Sequence, residues 1–162
     1  METPKYFFQY RDDAQKLFLR EYVYALGTFH YNWHDEIELL VILRGRADIC
    51  TGGCVYQLEE DDMILINSNE GHATLARSAD CLAFLIRFSP TVFEAYDANY
   101  RALRFQLLTD SSSRAQLPYR LLRMYMTKML LAMETDEQKN LLQMQSGLYP
   151  LLELLQSQFR QT

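Results

Sequence analysis

The sequence predicts a mainly β domain with an α-helical appendage, and three observations carry that expectation. Short apolar runs separated by turn residues recur from residue 17 to residue 88, the pattern of an antiparallel sandwich or barrel. After Pro118 the apolar spacing changes from strand-like to helical. Eleven Tyr and nine Phe suit a pleated body with an aromatic-lined interior, although any one of them serves equally well as plain core.

In chain order, residues 1–16 are polar and aromatic without a clear period, and are expected as a lead-in segment. Leu17 to Leu26 is expected to be extended. Leu39-Leu40-Val41-Ile42-Leu43 ends at Arg44-Gly45, and Arg46 to Cys50 ends at Gly52-Gly53. Val55 to Leu58 ends at Glu59-Glu60-Asp61-Asp62, which reads as a solvated turn. Met63 to Ile66, His72 to Ala76 and Cys81 to Phe88 complete the strand set. Ser89-Pro90 then has the form of a helix start, a serine N-cap followed by proline at the first helical position.

Leu122, Tyr125, Met126, Met129 and Met133 mark one face of a first helix. Thr135-Asp136 reads as a break and a new cap. Leu141, Met144, Leu148, Leu151, Leu152, Leu155 and Phe159 mark a second helix, which Gly147 and Pro150 are expected to kink or interrupt. The expected organisation is a lead-in over 1–16, a barrel over 17–90, and a helical linker and hairpin over 91–162. The two stripes can pack on each other, or a second subunit can cover part of them.

Composition narrows the function. Apolar residues make up 49% of 162, enough for a packed core in one domain. Residues 1–90 carry 8 Lys/Arg against 14 Asp/Glu, a balance of −6, and residues 91–162 carry 8 against 7, a balance of +1. Neither half has the basic surface that neutralises phosphates, so this segment is a poor nucleic-acid binder by itself. No apolar run is long enough to span a bilayer, and no secretory signal is expected at the N-terminus, so the expected location is cytoplasmic. Cys50, Cys54 and Cys81 are expected as free thiols. Cys50 and Cys54 flank a turn and could face each other across a hairpin, but their spacing fits no common zinc pair.

The residues able to do chemistry are His34, Glu38 and His72, each beside a strand-like run. Imidazole and carboxylate together suit a divalent transition metal, and three ligands leave an open position. They suit an organic ligand equally, or one another in the interior, because a buried carboxylate such as Glu38 needs a partner. His30, Asn32 and His34 alternate, so on a regular strand they share a face, with Trp33 packed on the other. Asp35 and Glu36 read as turn residues. No nucleophile elbow, phosphate-cradling glycine loop or zinc-protease helix motif occurs.

The stretch Asn32-x-His34, three residues, Glu38, six residues, Gly45 resembles the first motif of the cupin barrels, with Asn32 in place of a metal-binding histidine. In the second motif Asp61, Asn67 and Asn69 replace the expected glycine, proline and glycine, and His72 keeps its identity. More closely, His34-Asp35-Glu36-Ile37-Glu38 before Leu39 to Gly45, then Tyr56-Gln57-Leu58, Asp62 to Asn67, His72, and Cys81 to Phe88 before Ser89-Pro90 resemble the N-terminal domain of AraC-type transcription regulators. The late Leu-rich helix ending near Phe159 fits as well, so the resemblance covers roughly residues 25–160.

It implies a cupin-like antiparallel β-barrel (double-stranded β-helix) followed by a C-terminal helical hairpin. It further implies a small-molecule effector, a sugar or another metabolite, bound by Asn32, His34, Glu38 and His72, and a homodimer formed through the C-terminal helices. DNA would be contacted only through a C-terminal helix-turn-helix domain absent from this chain, which reads as an excised sensor. No cofactor, no catalytic residue and no membrane contact are expected. The alternative is a metal-dependent cupin enzyme, an isomerase or dioxygenase, with a divalent metal on His34, Glu38 and His72.

Overall fold

The computed structural model describes residues 6–133 and 137–161. Among the described residues, nine strands form two antiparallel sheets. β1 (Tyr6–Asp12), β2 (Leu17–Ala25), β4 (Ile37–Arg44), β7 (Met63–Ile66) and β9 (Leu82–Phe88) make a five-stranded sheet in the order β1-β2-β9-β4-β7. β3 (Thr28–Asn32), β5 (Ala47–Thr51), β6 (Cys54–Leu58) and β8 (His72–Ala76) make a four-stranded sheet in the order β3-β8-β5-β6. Two α-helices follow among the described residues, α1 (Leu117–Ala132) and α2 (Glu137–Leu154). This is the cupin-like arrangement with a helical tail that the sequence leads one to expect.

Apart from its edge strand β1, the five-stranded sheet is largely buried on both faces, which sets the architecture. Leu40 and Ile42 of β4 and Ala83 and Leu85 of β9 pack against Ala47 and Ile49 of β5 and Leu58 of β6, closing the two sheets on each other. The alternate residues Ile37, Leu39, Val41, Phe84, Ile86 and Phe88 join Leu122, Met126, Met129, Met144, Leu148 and Leu151 of the helices. Successive strand side chains point to opposite faces, so one strand serves the interior and the helical layer at once. That is why Leu39 to Leu43 of β4 reads as an unbroken apolar run.

Some expectations change. Residues 6–12, expected within the lead-in, are the edge strand β1, paired along its length with β2, while residues 1–5 lie outside the described residues. Ser89-Pro90 starts only a four-residue 3-10 turn over Pro90–Phe93, although Ser89 Oγ does accept the Thr91 N–H. The proposed break at Thr135-Asp136 lies outside the described residues. Leu141 is exposed rather than part of the buried stripe, because the inward face of α2 is set by Met144, Leu148 and Leu151. Asp62 is no solvated turn residue: it is buried, accepts from Thr109 Oγ1 at 2.8 Å, and pairs with Arg114 at 3.3 Å. Cys54 lies opposite Thr51 and Cys50 opposite Val55, so the two thiols point to opposite faces of the hairpin and both are free.

Two glycines have specific work. Gly45 turns β4 into β5 at φ 87°, and a Cβ there would collide with Ser78 Oγ and lie 2.9 Å from Cys81 Cα. Gly147 does not interrupt α2, nor does Pro150, which lies inside the helix. It allows close approach to α1 instead, since a Cβ would meet the Tyr125 carbonyl oxygen at 2.5 Å and Met129 Cγ at 2.8 Å. Gly147→Ala is therefore expected to lower stability by about 1–3 kcal/mol through overpacking, read as a lower denaturation midpoint. An unchanged midpoint would show that the helices can move apart freely.

Candidate functional site

Glu38 sits at the centre of a polar cluster between the two sheets. On β4 it lies directly opposite Arg87 of β9 and Ile66 of β7. Its side chain points to the interior face, where it is buried. Arg87 Nε donates to Glu38 Oε1 at 2.8 Å. From the opposing sheet, His72 Nε2 reaches Glu38 Oε2 at 3.1 Å. His34, in the connection between β3 and β4, places Nε2 3.6 Å from Glu38 Oε1, and the two imidazoles meet edge to face at 5.2 Å. The carboxylate thus ties both sheets and the β3–β4 connection to one point.

The orientation of the rings follows from their backbone partners. His72 Nδ1 lies 3.2 Å from the Glu70 carbonyl, and His34 Nδ1 lies 3.0 Å from the Glu36 carbonyl. A carbonyl only accepts, so the Nδ1 facing it carries hydrogen. In His72, Nε2 then faces a carboxylate, which favours the doubly protonated ring. Burial disfavours that charge, but the hydrogen bond and charge of Glu38, together with the Glu70 carbonyl, raise the His72 pKa above its ordinary value. For Glu38 burial opposes ionisation, yet the close approach of the His34 ring, the hydrogen bond from His72 and the charges of His72 and Arg87 hold its carboxyl well below the usual carboxylate range.

The cluster is larger than the sequence suggests. Arg20 of β2 lies opposite Arg87 and forms a paired-nitrogen contact with Glu36, so Glu36 is buried in an ion pair rather than free in a turn. On the four-stranded sheet, Thr51 and Thr74 share the inward face with His72 and Ile49. Thr51 Oγ1 donates to Glu70 at 2.9 Å. Thr74 Oγ1 is buried with no partner among the described residues, as is His34 Nε2 by hydrogen-bond geometry.

The structure thus brings His34, Glu38 and His72 together, with donor atoms all within 4.8 Å of one another. Asn32 stands opposite His72 in register but is exposed, and it follows a register shift between Phe29 and Asn32. That irregularity ends the simple alternation expected for His30, Asn32 and His34; the His30 side chain lies outside the described residues. Trp33 is 67% exposed instead of packed, because the chain leaves β3 before it. Arg87 and Thr74 escaped the sequence reading. Their signal was a polar residue at an inward position of a strand, visible only once the facing is known.

This geometry belongs to a known class of domain. Residues 17–152 match the family model for the AraC-like ligand binding domain, and the chain belongs to that family. No curated protein matches it. Solved structures resemble it at the level of fold. The cupin domain of Schizosaccharomyces pombe Cnp3 is 8% identical, with a TM-score of 0.43 over 51% of this chain and 62% of that one. This chain thus spans less than two thirds of that relative. The cupin domain of an XRE family transcriptional regulator from Enterobacter cloacae is 17% identical, with a TM-score of 0.41 over 51% of this chain and 93% of that one. KdgF from Halomonas sp. is 14% identical, with a TM-score of 0.40 over 46% and 70%. No helix among the described residues is long and apolar enough to cross a membrane.

Proposed function

We infer that this chain is the effector-sensing and dimerisation domain of a bacterial AraC-type transcription regulator, acting in the cytoplasm. The observation that carries the reading is the double duty of β4 and β9. Glu38 and Arg87 face the interior, while their neighbours Ile37, Leu39, Ile86 and Phe88 face the helical layer. A metabolite that rearranges the Glu38 cluster shifts strands on which the helices rest. Such coupling requires the effector to bind two arrangements with different affinity. DNA contact is the task of a separate helix-turn-helix region.

His34, Glu38, His72 and Thr74 are the proposed effector contacts, with Asn32 at the edge, and a hydroxylated metabolite such as a sugar suits these donors and acceptors. The unpartnered Thr74 hydroxyl supplies the cleanest test. Thr74→Val keeps the shape and removes a buried hydroxyl that has no partner, so stability should stay level or rise. Metabolites screened by melting temperature should include a class that raises it with concentration. Thr74→Val should then weaken that class about fivefold or more. Failure of every metabolite, or an effector indifferent to Thr74→Val and to His72→Ala, would count against the barrel as a sensor.

The metal-enzyme alternative has less support. The three donors converge, but Arg87 holds a fixed positive charge 2.8 Å from Glu38 Oε1, and Asn32 replaces one histidine. That donor set fits a divalent cation poorly. Stoichiometric metal in protein purified without chelator would reverse this judgement.

For dimerisation the support lies on α1. Leu117, Met124 and Leu131 are exposed at seven-residue spacing, on the side opposite the buried Leu122, Met126 and Met129. Leu141 and Leu142 of α2 are exposed as well. An apolar row of this spacing is the seam that a second helix covers. The double variant Met124→Glu/Leu131→Glu is expected to be monomeric by light scattering where the parent is dimeric. A parent that is already monomeric at high concentration would sink this part of the reading.

A further inference from the structure

A second cleft, of about 370 Å³, opens on the other side of the five-stranded sheet, where the barrel meets α2. Val92, Phe93 and Leu152 form its apolar wall, and all three belong to the core shared by sheet and helices. It is therefore separated by the sheet from the Glu38 cluster. Its volume falls within the roughly 300–1,000 Å³ of small-molecule sites.

Its polar groups have one sign. Tyr96, Tyr149 and Glu153 line the cleft together with two amide side chains, and no Lys or Arg is among the lining residues. Glu153 makes no ion pair among the described residues, and it is exposed. Lys16, next in sequence to one of the lining glutamines, is held by Glu94 at 2.7 Å. Tyr149 Oη donates to Asp12 at 2.9 Å, and Tyr96 Oη donates to Gln15 at 3.4 Å. Both hydroxyls are engaged, so the tyrosines offer a ligand chiefly ring surface. Aromatic rings around an apolar floor, beside one unpaired carboxylate, are the chemistry that recognises an alkylated ammonium group.

We propose that the cleft formed by Val92, Phe93, Tyr96, Tyr149, Leu152 and Glu153 is a second ligand site, for a small organic cation of the quaternary-ammonium type. It joins the turn after β9 to α2, so its occupant would fasten the helix to the barrel independently of anything bound beside Glu38. The site stands whether or not the barrel senses a metabolite.

The test is a titration of isotopically labelled protein with choline, followed by amide NMR shifts, beside its uncharged isostere in which carbon replaces nitrogen. Saturable shifts centred on residues 92–96 and 149–156 are expected, with the isostere about tenfold weaker. Tyr96→Ala and Glu153→Gln should each weaken choline about fivefold or more. Both residues are exposed, so the melting temperature of the free variants should hold, which separates lost binding from lost folding. Absence of saturation in the millimolar range overturns the proposal. So do equal binding of the isostere, choline affinity unchanged in both variants, or shifts centred on β4 and β8.

Discussion

Replacing Glu21 with Leu is expected to stabilise the domain by about 4 kcal/mol at pH 8, and by almost nothing extra from ionisation at pH 4. Glu21 lies on β2, opposite Phe8 and Ile86, on the face that Leu19 and Val23 share with the helical layer. It is fully buried, and neither carboxylate oxygen has a partner among the described residues. Burial alone pushes its pKa from 4.5 up to about 8. The sign follows from proton counting. Between those values the unfolded chain has released this proton while the folded chain keeps it. The unfolded state binds fewer protons, so stability falls as pH rises through that window. Two variants separate the contributions. Glu21→Gln keeps an unpartnered polar group but cannot titrate, so it should flatten the pH dependence with a smaller gain. Glu21→Leu removes both costs. Denaturant midpoints at pH 5 and pH 8 decide the matter, and a parent protein equally stable at both would show that Glu21 has found a counter-charge.

Glu21 also illustrates what a sequence hides. Leu17 to Leu26 was legible as a strand, but not that this strand is buried on both faces, so nothing marked Glu21 as costly. β7 and β8 carry the boundaries expected from their apolar runs, Met63–Ile66 and His72–Ala76. β1 was missed because an edge strand with exposed Tyr6 and Phe7 carries little alternation. His34, Glu38 and His72 could be singled out because their residue types are rare and their spacing is specific. Arg87 and Glu36 could not, since surface and buried charges look alike until the pairing of β2, β9 and β4 places Arg20, Arg87 and Glu38 in one row, with Glu36 reaching Arg20 from just before β4. Asp62 sat within a run of four acids that looked solvated, and only the distant Thr109 and Arg114 reveal its burial.

The second large effect is expected at Glu38 itself. Glu38→Ala should cost about 3–5 kcal/mol, because it leaves the Arg87 guanidinium and the His72 imidazole buried without their counter-charge. Arg87→Ala should cost a similar amount, while the double variant Glu38→Leu/Arg87→Met should recover most of the loss, since an apolar pair of similar volume carries no desolvation penalty. The wild-type cluster has its own pH window. Glu38 is depressed, so its contribution is complete above about pH 4.5 and is lost as pH falls through its folded value. His72 is raised, so its contribution is complete below about pH 6.5 and is lost as pH rises through its folded value. The cluster is therefore strongest between those limits, and the decline above them adds to that of Glu21. The double variant then divides structure from function. If the cluster only fastens the two sheets together, the apolar pair fastens them equally well, and any metabolite that stabilises the parent stabilises the variant too. If Glu38 and Arg87 are what the effector touches, the variant folds, melts near the parent and no longer responds to the metabolite. A well-folded double variant that still responds would remove the Glu38 cluster from the sensing mechanism, whatever the family resemblance implies.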